Sequence, residues 1–337
     1  MRILFVALKY DYGIPSRGYS FEYYNFYDSL VGMGHEVEYF DFMSLFQEFG
    51  REEMTRMLRR RVDESRPDLM FALLFSDQFD QETLAKITRE TSTVTFNWFA
   101  DDHWRFDDFS RHWAPCFRFV STTDARSVER YRAIGYRNVL LTQWAANPRL
   151  YRKADLPQRY DVSFVGQGYG DRPAILRELK RQRIPVVTFG THWHLRRWHR
   201  GLRKLRLMSP ASFQRVIDAT RISQEEMITV FQASRINLNL SSSSAQGDNQ
   251  IKGRNFEIPA CGAFQLSGYA ERLEKFFDIG KEIVCYRTIE ELAEKARFYL
   301  DHEQERQAIA QAGHQRVLRE HTYQHRFSKL FSAMGLR

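Results

Sequence analysis

The stretch DVSFVGQGYGDRPAILRELKRQRIPVVTFG, residues 161–190, decides the fold class. Residues 161–166 are a short apolar run that predicts a buried strand, and a turn with three glycines follows. Residues 172–182 have the apolar spacing of an amphipathic helix, and the run 185–190 predicts the next strand. Two strands joined by a helix through short connections are typical of a parallel, doubly wound sheet.

The same alternation of strand and helix patterns extends to both sides of this stretch. It runs from residue 2 to 143, with a predicted helix at 51–67, and again from 161 to 300. The later part includes a predicted polar loop at 241–250 and a predicted helix at 269–277. Between the two halves, residues 146–160 hold two prolines and many polar side chains, which indicates a domain linker. We therefore expect two Rossmann-like domains, at 1–150 and 151–320, with a ligand cleft between the carboxyl ends of their sheets.

Length and composition agree with two globular domains. The chain has 337 residues, of which 43% are hydrophobic and 15% aromatic. Its apolar runs are too short for a signal sequence or a membrane span. Three widely spaced cysteines suggest free thiols in a reducing compartment, so we expect a cytoplasmic protein. The ten histidines show no metal-ligand spacing, and no metal site is expected.

Positive charge is concentrated in one segment. The net charge is +8, and ten Lys or Arg residues without any acid lie between Leu179 and Ile217, centred on 191–208. Three interpretations remain open: a solvated basic face, a surface for anionic lipid or glycan, or a nucleic-acid surface. No recognised nucleic-acid motif accompanies the charge, which disfavours the last.

The glycine-rich turn at 165–172 is a candidate phosphate site. Gly166 and Gly168 would leave backbone amides exposed, and Arg172 begins the following helix, a combination that suits a diphosphate. A plain tight turn is the alternative. The acidic residue that a dinucleotide-binding fingerprint requires about 20 residues later is missing, which argues against a nicotinamide or flavin enzyme.

The segment KGRNFEIPACG, residues 252–262, combines two cations with one carboxylate. We expect a short helix that begins near Asn255, with Pro259 in its first turn because proline lacks an amide hydrogen. Glu257 would then lie at the helix mouth and accept hydrogen bonds from a ribose diol. Lys252 and Arg254 would neutralise a diphosphate. The alternative is an internal ion pair between Arg254 and Glu257.

FNWFADDHW, residues 96–104, follows a predicted strand of the first half. Asp101, Asp102 and His103 are candidates for activating an acceptor hydroxyl, because adjacent carboxylates can raise one another's pKa. A helix N-cap at Asp101 or Asp102 is the alternative. A metal-binding pair of aspartates is a further interpretation, which the second nucleotide-type domain disfavours.

Residues 252–327 resemble the C-terminal half of the CgeB-like glycosyltransferases, which are similar to the group 1 nucleotide-sugar transferases with the GT-B fold. The likeness includes 161–172 and continues more faintly in 97–106 and 122–139. The resemblance implies a GT-B architecture of two doubly wound Rossmann-like domains that face a central cleft. It also implies that the final segment, 321–337, crosses back to the first domain.

The resemblance also implies roles for single residues. Glu257 matches the glutamate that binds the donor ribose in related transferases, whereas Asn249 replaces a second glutamate eight residues earlier. Arg17, Gly18 and Glu22, which follow the first strand, would line the acceptor side of a GT-B cleft. Loop and cap residues are the alternative for these three.

From these observations we expect a metal-independent glycosyltransferase of the hexosyltransferase type. It would move a sugar from a nucleoside diphosphate sugar to a hydroxyl of a glycan, a lipid-linked glycan or a protein, in surface glycan or glycoconjugate synthesis. No cofactor and no nucleic acid are expected, and residues 191–208 would contact an anionic membrane at its inner face. The alternatives are a non-catalytic nucleotide- or glycan-binding protein on the same fold and a basic nucleic-acid-binding protein.

Overall fold

The computed structural model describes residues 1–243 and 249–336. The chain folds into two compact units, which we name unit 1 (Met1–Leu150 with Thr322–Arg337) and unit 2 (Tyr151–His321). The strands are β1 (Arg2–Ala7), β2 (Glu36–Asp41), β3 (Leu69–Ala72), β4 (Val94–Phe99), β5 (Phe119–Thr122), β6 (Val139–Leu141), β7 (Tyr160–Val165), β8 (Val186–Phe189), β9 (Ser234–Asn239), β10 (Gln265–Gly268) and β11 (Val284–Tyr286).

The helices alternate with these strands. They are α1 (Asp28–Gly32), α2 (Phe42–Ser65), α3 (Gln81–Glu90), α4 (Asp102–Arg105), α5 (Arg111–Trp113), α6 (Ala125–Ala133), α7 (Arg172–Arg181), α8 (Arg197–Lys204), α9 (Pro210–Ile217), α10 (Gln224–Gln232), α11 (Arg254–Ala260), α12 (Ile289–Asp301), α13 (Glu303–Glu320) and α14 (Tyr323–Ala333). Within the described residues, no helix combines the length and the hydropathy that crossing a bilayer requires.

Unit 1 is built on a six-stranded sheet in the order β2-β1-β3-β4-β5-β6. All of its strand pairs are parallel. The chain moves from β1 to β2 on one side and then to β3 on the other, so the direction of winding reverses between β1 and β3. In open α/β sheets, ligands bind at such a switch point, beyond the carboxyl ends of the strands.

Helices cover both faces of the unit 1 sheet. On one face, α2, α3 and α6 bury Leu58, Ile87 and Tyr131 against the strands. On the other face, Leu30 of α1 and Phe327 of α14 belong to one apolar cluster. The last helix therefore completes the core of unit 1, although it is separated in sequence from the rest of that unit by the whole of unit 2.

Unit 2 contains a second parallel sheet in the order β11-β10-β9-β7-β8. Its core joins Leu179 of α7, Ile236 of β9, Leu266 of β10 and Leu292 of α12, all fully buried. The winding reverses between β7 and β9, which are direct neighbours. Unit 2 thus has its own switch point at the carboxyl ends of these two strands.

Three local expectations differ from the structure. The helix predicted at 269–277 is only a 3-10 turn at Leu273–Lys275, because Arg272 adopts a left-handed conformation with φ +70° that interrupts helical geometry. The helix predicted from 51 begins earlier, at Phe42, and Gly50 joins its two parts through a kink at φ +78°. Pro259 lies in the last turn of α11 and not in the first, because this helix already begins at Arg254. The predicted polar loop at 241–250 lies partly outside the described residues, which omit 244–248.

Candidate functional site

Three cations lie at the switch point of unit 2, and we name them the cationic cluster: Arg172, Lys252 and Arg254. Arg172 is the first residue of α7 and follows β7 after a short turn. Lys252 and Arg254 follow β9, where the chain enters α11. The topology therefore brings together side chains that are about 80 residues apart in the sequence.

Arg172 and Lys252 share two backbone carbonyl oxygens. Lys252 Nζ donates to the oxygen of Ser242 at 2.6 Å and to that of Leu240 at 3.1 Å. Arg172 Nη2 donates to the same oxygens at 3.2 Å and 3.3 Å. The guanidinium carbon of Arg172 lies 3.8 Å from the ring centroid of Tyr169, whose hydroxyl accepts from Lys252 at 3.3 Å.

Positive charge in this cluster is only partly compensated. Among the described residues, no carboxylate forms an ion pair with Arg172 or Lys252, and Arg172 is 4% exposed. Burial, followed by repulsion from Arg172, lowers the pKa of Lys252 to about 6, while Asp171 acts in the opposite direction. Burial also lowers the pKa of Arg172. The site therefore holds the buried guanidinium of Arg172 and the buried amine of Lys252, whose charged forms an anionic ligand would stabilise.

Glu257 lies in the first turn of α11, near the start of the helix as predicted. Its side chain is fully buried and pairs with Arg254. This ion pair was the alternative interpretation of the segment. Burial opposes the charged form of Arg254, but Glu257, together with smaller contributions from Tyr151 and Cys261, outweighs it, and the pKa of Arg254 is raised. Oε1 of Glu257 has no hydrogen-bond partner in the part of the chain that the structure describes. The ribose role of Glu257 stays a prediction.

The glycine-rich turn does not leave its first amides exposed. The amide of Gly166 donates to the oxygen of Phe189 at 2.9 Å, and that of Gly168 donates to the oxygen of Thr191 at 2.9 Å. Trp193 closes over the turn, and a Cβ at Gly168 would come within 3.0 Å of its ring. The prediction that the amides of Gly166 and Gly168 are exposed is therefore wrong. These glycines allow two loops to pack closely, which in turn positions Arg172.

Unit 1 has a cavity of about 300 Å³ at its own switch point. Leu8 follows β1, Leu74 follows β3, and Asp101 follows β4, and all three line the cavity. The side-chain amide of Asn97 on β4 fixes this edge, because its Oδ1 accepts from the backbone nitrogen of Leu74 at 3.0 Å. Trp144 forms another part of the wall.

Polar groups of the cavity come from several elements. Asp11, Glu22 and Asp101 supply three carboxylates, and Arg105 supplies one guanidinium. Arg105 donates from Nη1 to the oxygen of Phe75 at 2.7 Å, and its guanidinium carbon lies 4.1 Å from the ring centroid of Phe109. Burial raises the pKa of Glu22, and the charge of Asp11 acts in the same direction. A carboxylate with a raised pKa is a stronger base, which suits the role of a proton acceptor.

Only some of the residues predicted for the acceptor side reach this cavity. Glu22 and Asp101 line it. Asp102 is fully buried and accepts from the hydroxyl of Tyr131 at 2.9 Å, so its predicted position facing an acceptor is wrong. Burial raises the pKa of Asp102, although hydrogen bonds from neighbouring hydroxyls oppose this.

The remaining candidates lie outside the cavity lining. His103 is half-buried in α4, the helix whose N-cap position Asp101 occupies without a side-chain cap bond. Arg17 ends a 3-10 turn, and the exposed Gly18 follows it at φ +82°. Gly18 accepts a backbone hydrogen bond from Asp11 at 3.0 Å, so this turn closes the loop that carries Asp11. Within the described residues, no group of three or more His, Cys, Asp or Glu side chains is arranged to hold a metal ion.

Sequence reasoning missed several residues that build the two sites. Tyr169 lies between two glycines, where an aromatic residue is a signal that could have been noticed. Arg105 directly follows the motif at 96–104, and Asp11 lies in the loop after β1, but neither residue belongs to a recognisable pattern. The position of Trp144 is held by α14, because Arg326 of this helix donates a hydrogen bond to the backbone oxygen of Trp144 at 3.3 Å. Such a contact across more than 180 residues leaves no local signal.

Comparisons with known proteins agree with this architecture. The family described as glycosyl transferase-like matches residues 172–332. The spore protein CgeB of Bacillus subtilis is 23% identical over 283 residues, which cover 80% of this chain and 84% of CgeB.

Solved structures resemble the whole chain. Sucrose-phosphate synthase from Thermosynechococcus elongatus superposes with a TM-score of 0.62 at 11% identity, covering 99% of this chain and 100% of the synthase. HepE of Anabaena in complex with UDP superposes with a TM-score of 0.61 at 12% identity, over 99% of this chain and 100% of HepE. Both likenesses show the GT-B fold. Together with the resemblance to CgeB over most of the chain and the match to the glycosyl transferase-like family over residues 172–332, they show that the chain is similar in fold and in sequence to CgeB-like glycosyltransferases.

Proposed function

We propose that the chain transfers a sugar from a nucleoside diphosphate sugar to an acceptor hydroxyl without a metal ion. The observation that carries this proposal is the cationic cluster of unit 2. Arg172 and Lys252 are held there by backbone carbonyls, and no carboxylate of the described residues pairs with either. A diphosphate supplies the negative charge that this arrangement lacks. The structure of HepE with UDP supports the same ligand class.

The cluster would act mainly on the leaving group. As the bond from the anomeric carbon to the diphosphate oxygen breaks, negative charge develops on the diphosphate. Preorganised cations stabilise such charge strongly, because they need little reorganisation during the reaction. Arg172, Lys252 and Arg254 would therefore perform the task that a divalent metal performs in other transferases. Glu257 would hold Arg254 in position through their ion pair.

The cavity of unit 1 would bind the acceptor. The acceptor oxygen forms a bond to the anomeric carbon, the diphosphate leaves with the electron pair of the broken bond, and the hydroxyl proton passes to Glu22. The raised pKa of Glu22 suits this proton transfer. Asp101, on the same wall, would orient the hydroxyl. We place this reaction in the synthesis of surface glycans or glycoconjugates, on a glycan, lipid-linked glycan or protein acceptor.

Thermal unfolding tests the donor site. The chain would be heated with UDP, GDP, TDP or CMP, each with and without EDTA. A ligand at 100 times its dissociation constant adds about 2.7 kcal/mol to the free energy of unfolding. We expect one diphosphate to raise the melting temperature equally with and without EDTA. A shift that EDTA abolishes would contradict metal independence, and the absence of any shift would contradict the donor site.

We also propose that unit 2 contacts anionic membrane surfaces through residues 191–208. Trp198, Leu205 and Leu207 are 59%, 68% and 72% exposed, and they lie on or directly after α8. The same segment carries six cations: Arg196, Arg197, Arg200, Arg203, Lys204 and Arg206. Exposed apolar groups within a basic helical segment are typical of proteins that lie on the inner membrane face.

Sedimentation with lipid vesicles tests this contact. We expect the chain to sediment with vesicles that contain about 30% phosphatidylglycerol and not with pure phosphatidylcholine, and to be released by salt. Trp198→Ala should weaken binding, whereas the exposed Trp104→Ala in unit 1 serves as the matched control. Equal sedimentation of both variants with wild type would contradict the proposed surface.

A further inference from the structure

The lining of the unit 1 cavity narrows the chemistry of the acceptor. Acidic groups outnumber basic ones, with Asp11, Glu22 and Asp101 against the single guanidinium of Arg105. Burial is the main cause of the raised pKa of Glu22, and the charge of Asp11 adds to it, so both the burial and the existing charge of the site disfavour further negative charge. A phosphate or uronate on the acceptor would add like charge to a half-buried acidic site, which costs binding free energy.

Aromatic rings form much of the remaining wall. Seven of the sixteen lining side chains are aromatic, including Trp98 and Trp144, so the cavity offers ring faces beside carboxylates. A ring face carries partial negative charge and attracts the C–H groups of an apolar surface. Carboxylate oxygens accept strong hydrogen bonds from hydroxyl groups. A pyranose ring presents both features, with C–H groups on its faces and hydroxyls around its edge.

Further aromatic side chains continue outward from the cavity. Tyr12 and Phe75 line it and remain 48% and 38% exposed, with ring centroids 5.9 Å apart. On the same loop, Tyr19 is 41% exposed and stacks on Tyr10 at 5.7 Å and on Tyr23 at 4.0 Å. An exposed aromatic patch continuous with a cavity marks a ligand-binding groove.

We infer that the acceptor is the uncharged end of an oligosaccharide, with its terminal sugar in the cavity and the next sugar against the aromatic rim of Tyr12, Tyr19 and Phe75. This inference rests on the proposed function, because it names the acceptor class of the same site. It separates neutral or amino-bearing glycan ends, which the acidic cavity accepts, from phosphorylated or uronic acid ends, which it rejects. The volume of about 300 Å³ limits the cavity to a ligand of about one sugar unit.

Glycan capture tests the inference without requiring turnover. The full-length chain, saturated with UDP, would be applied to immobilised trisaccharides that end in glucose, N-acetylglucosamine, glucuronic acid or glucose 6-phosphate. We expect capture by the neutral ends to exceed capture by the matched anionic ends at least tenfold. In the double variant Glu22→Gln with Asp101→Asn, this ratio should fall at least threefold, because two charges are removed while the shape is kept.

Two further variants keep the test independent of folding. Glu129→Gln removes an exposed carboxylate on α6, outside the cavity, and should leave the ratio unchanged. Tyr12→Ala should weaken capture of a trisaccharide more than capture of the matching monosaccharide. Melting temperatures would be recorded for every variant, and Asp101→Asn alone replaces the double variant if the latter is unfolded.

The outcomes separate the inference from the proposed function. If wild type captures anionic ends as well as neutral ones, or if the ratio is unchanged in the charge-neutral variant, the inference is overturned. Stabilisation by UDP without capture of any neutral glycan also overturns the inference and leaves the donor site intact. Capture of neutral ends without stabilisation by any nucleotide supports the inference and overturns the proposed donor.

Discussion

The two switch points of this molecule have the same topology and opposite charge. In unit 1, three carboxylates and one guanidinium surround an aromatic cavity beyond β1, β3 and β4. In unit 2, Arg172 and Lys252 lie beyond β7 and β9, with backbone carbonyls as their partners. A parallel sheet therefore determines where a ligand binds, whereas the side chains that follow its strands determine which ligand it is.

The difference also separates the two chemical tasks of glycosyl transfer. A leaving diphosphate must be stabilised as an anion, and cations serve that purpose. An acceptor hydroxyl must lose a proton, and a carboxylate with a raised pKa can accept it. Each unit of this chain has the charge that one of these tasks needs. Substitutions that change either charge should affect one task and leave the other unchanged.

The largest effect is expected from Glu22→Gln in unit 1. Loss of a positioned proton acceptor typically lowers the rate of the chemical step about 10²- to 10⁴-fold. We expect kcat to fall within this range while the affinity for the nucleoside diphosphate stays unchanged. Steady-state kinetics and a binding titration on the same preparation check both parts. A variant that retains full kcat would assign the proton transfer to another group.

A smaller effect is expected from Lys252→Met in unit 2. The substitution removes a charge-assisted hydrogen bond worth about 1.5–3 kcal/mol, so the dissociation constant for the nucleoside diphosphate should rise about 10- to 150-fold. The capture of neutral glycans by unit 1 should not change. Lys180→Met, an exposed lysine of α7, is the matched control. Equal donor affinity in both variants would show that Lys252 does not contact the diphosphate.

A further effect concerns stability in the absence of ligand. The folded chain holds Lys252 with a pKa of about 6, against 10.5 for an ordinary lysine. Between these values the unfolded state binds more protons, so the free energy of unfolding should rise with pH and fall as pH decreases toward 6. Urea unfolding at several pH values measures this slope, which should be smaller in Lys252→Met. An identical slope in the variant would place the proton uptake elsewhere.

Most of the fold could be predicted from the sequence, but less of the two sites could be. Period-two and period-3.6 patterns mark strands and helices wherever one face is buried, which is why both sheets were predictable. The burial of charged side chains could not be predicted in the same way. Glu257 and Asp102 lie in motifs rich in polar residues, and their orientation depends on contacts with Arg254 and Tyr131, respectively. The prediction of exposed amides in the glycine-rich turn failed for a similar reason. The carbonyl groups that accept from these amides belong to the end of β8 and to the loop that follows it.

Calorimetric titration with the nucleoside diphosphate that most stabilises the chain tests the role of the cationic cluster most directly. At pH 8 the amine of Lys252 is largely neutral in the free chain, because its pKa is about 6. Binding of a diphosphate should favour the ammonium form, so titrations in Tris and in HEPES buffer should reveal uptake of about one proton. We expect this uptake to be independent of EDTA and to disappear in Lys252→Met. Binding without proton uptake, or with the same uptake in the variant, would contradict the assignment of the diphosphate to this cluster.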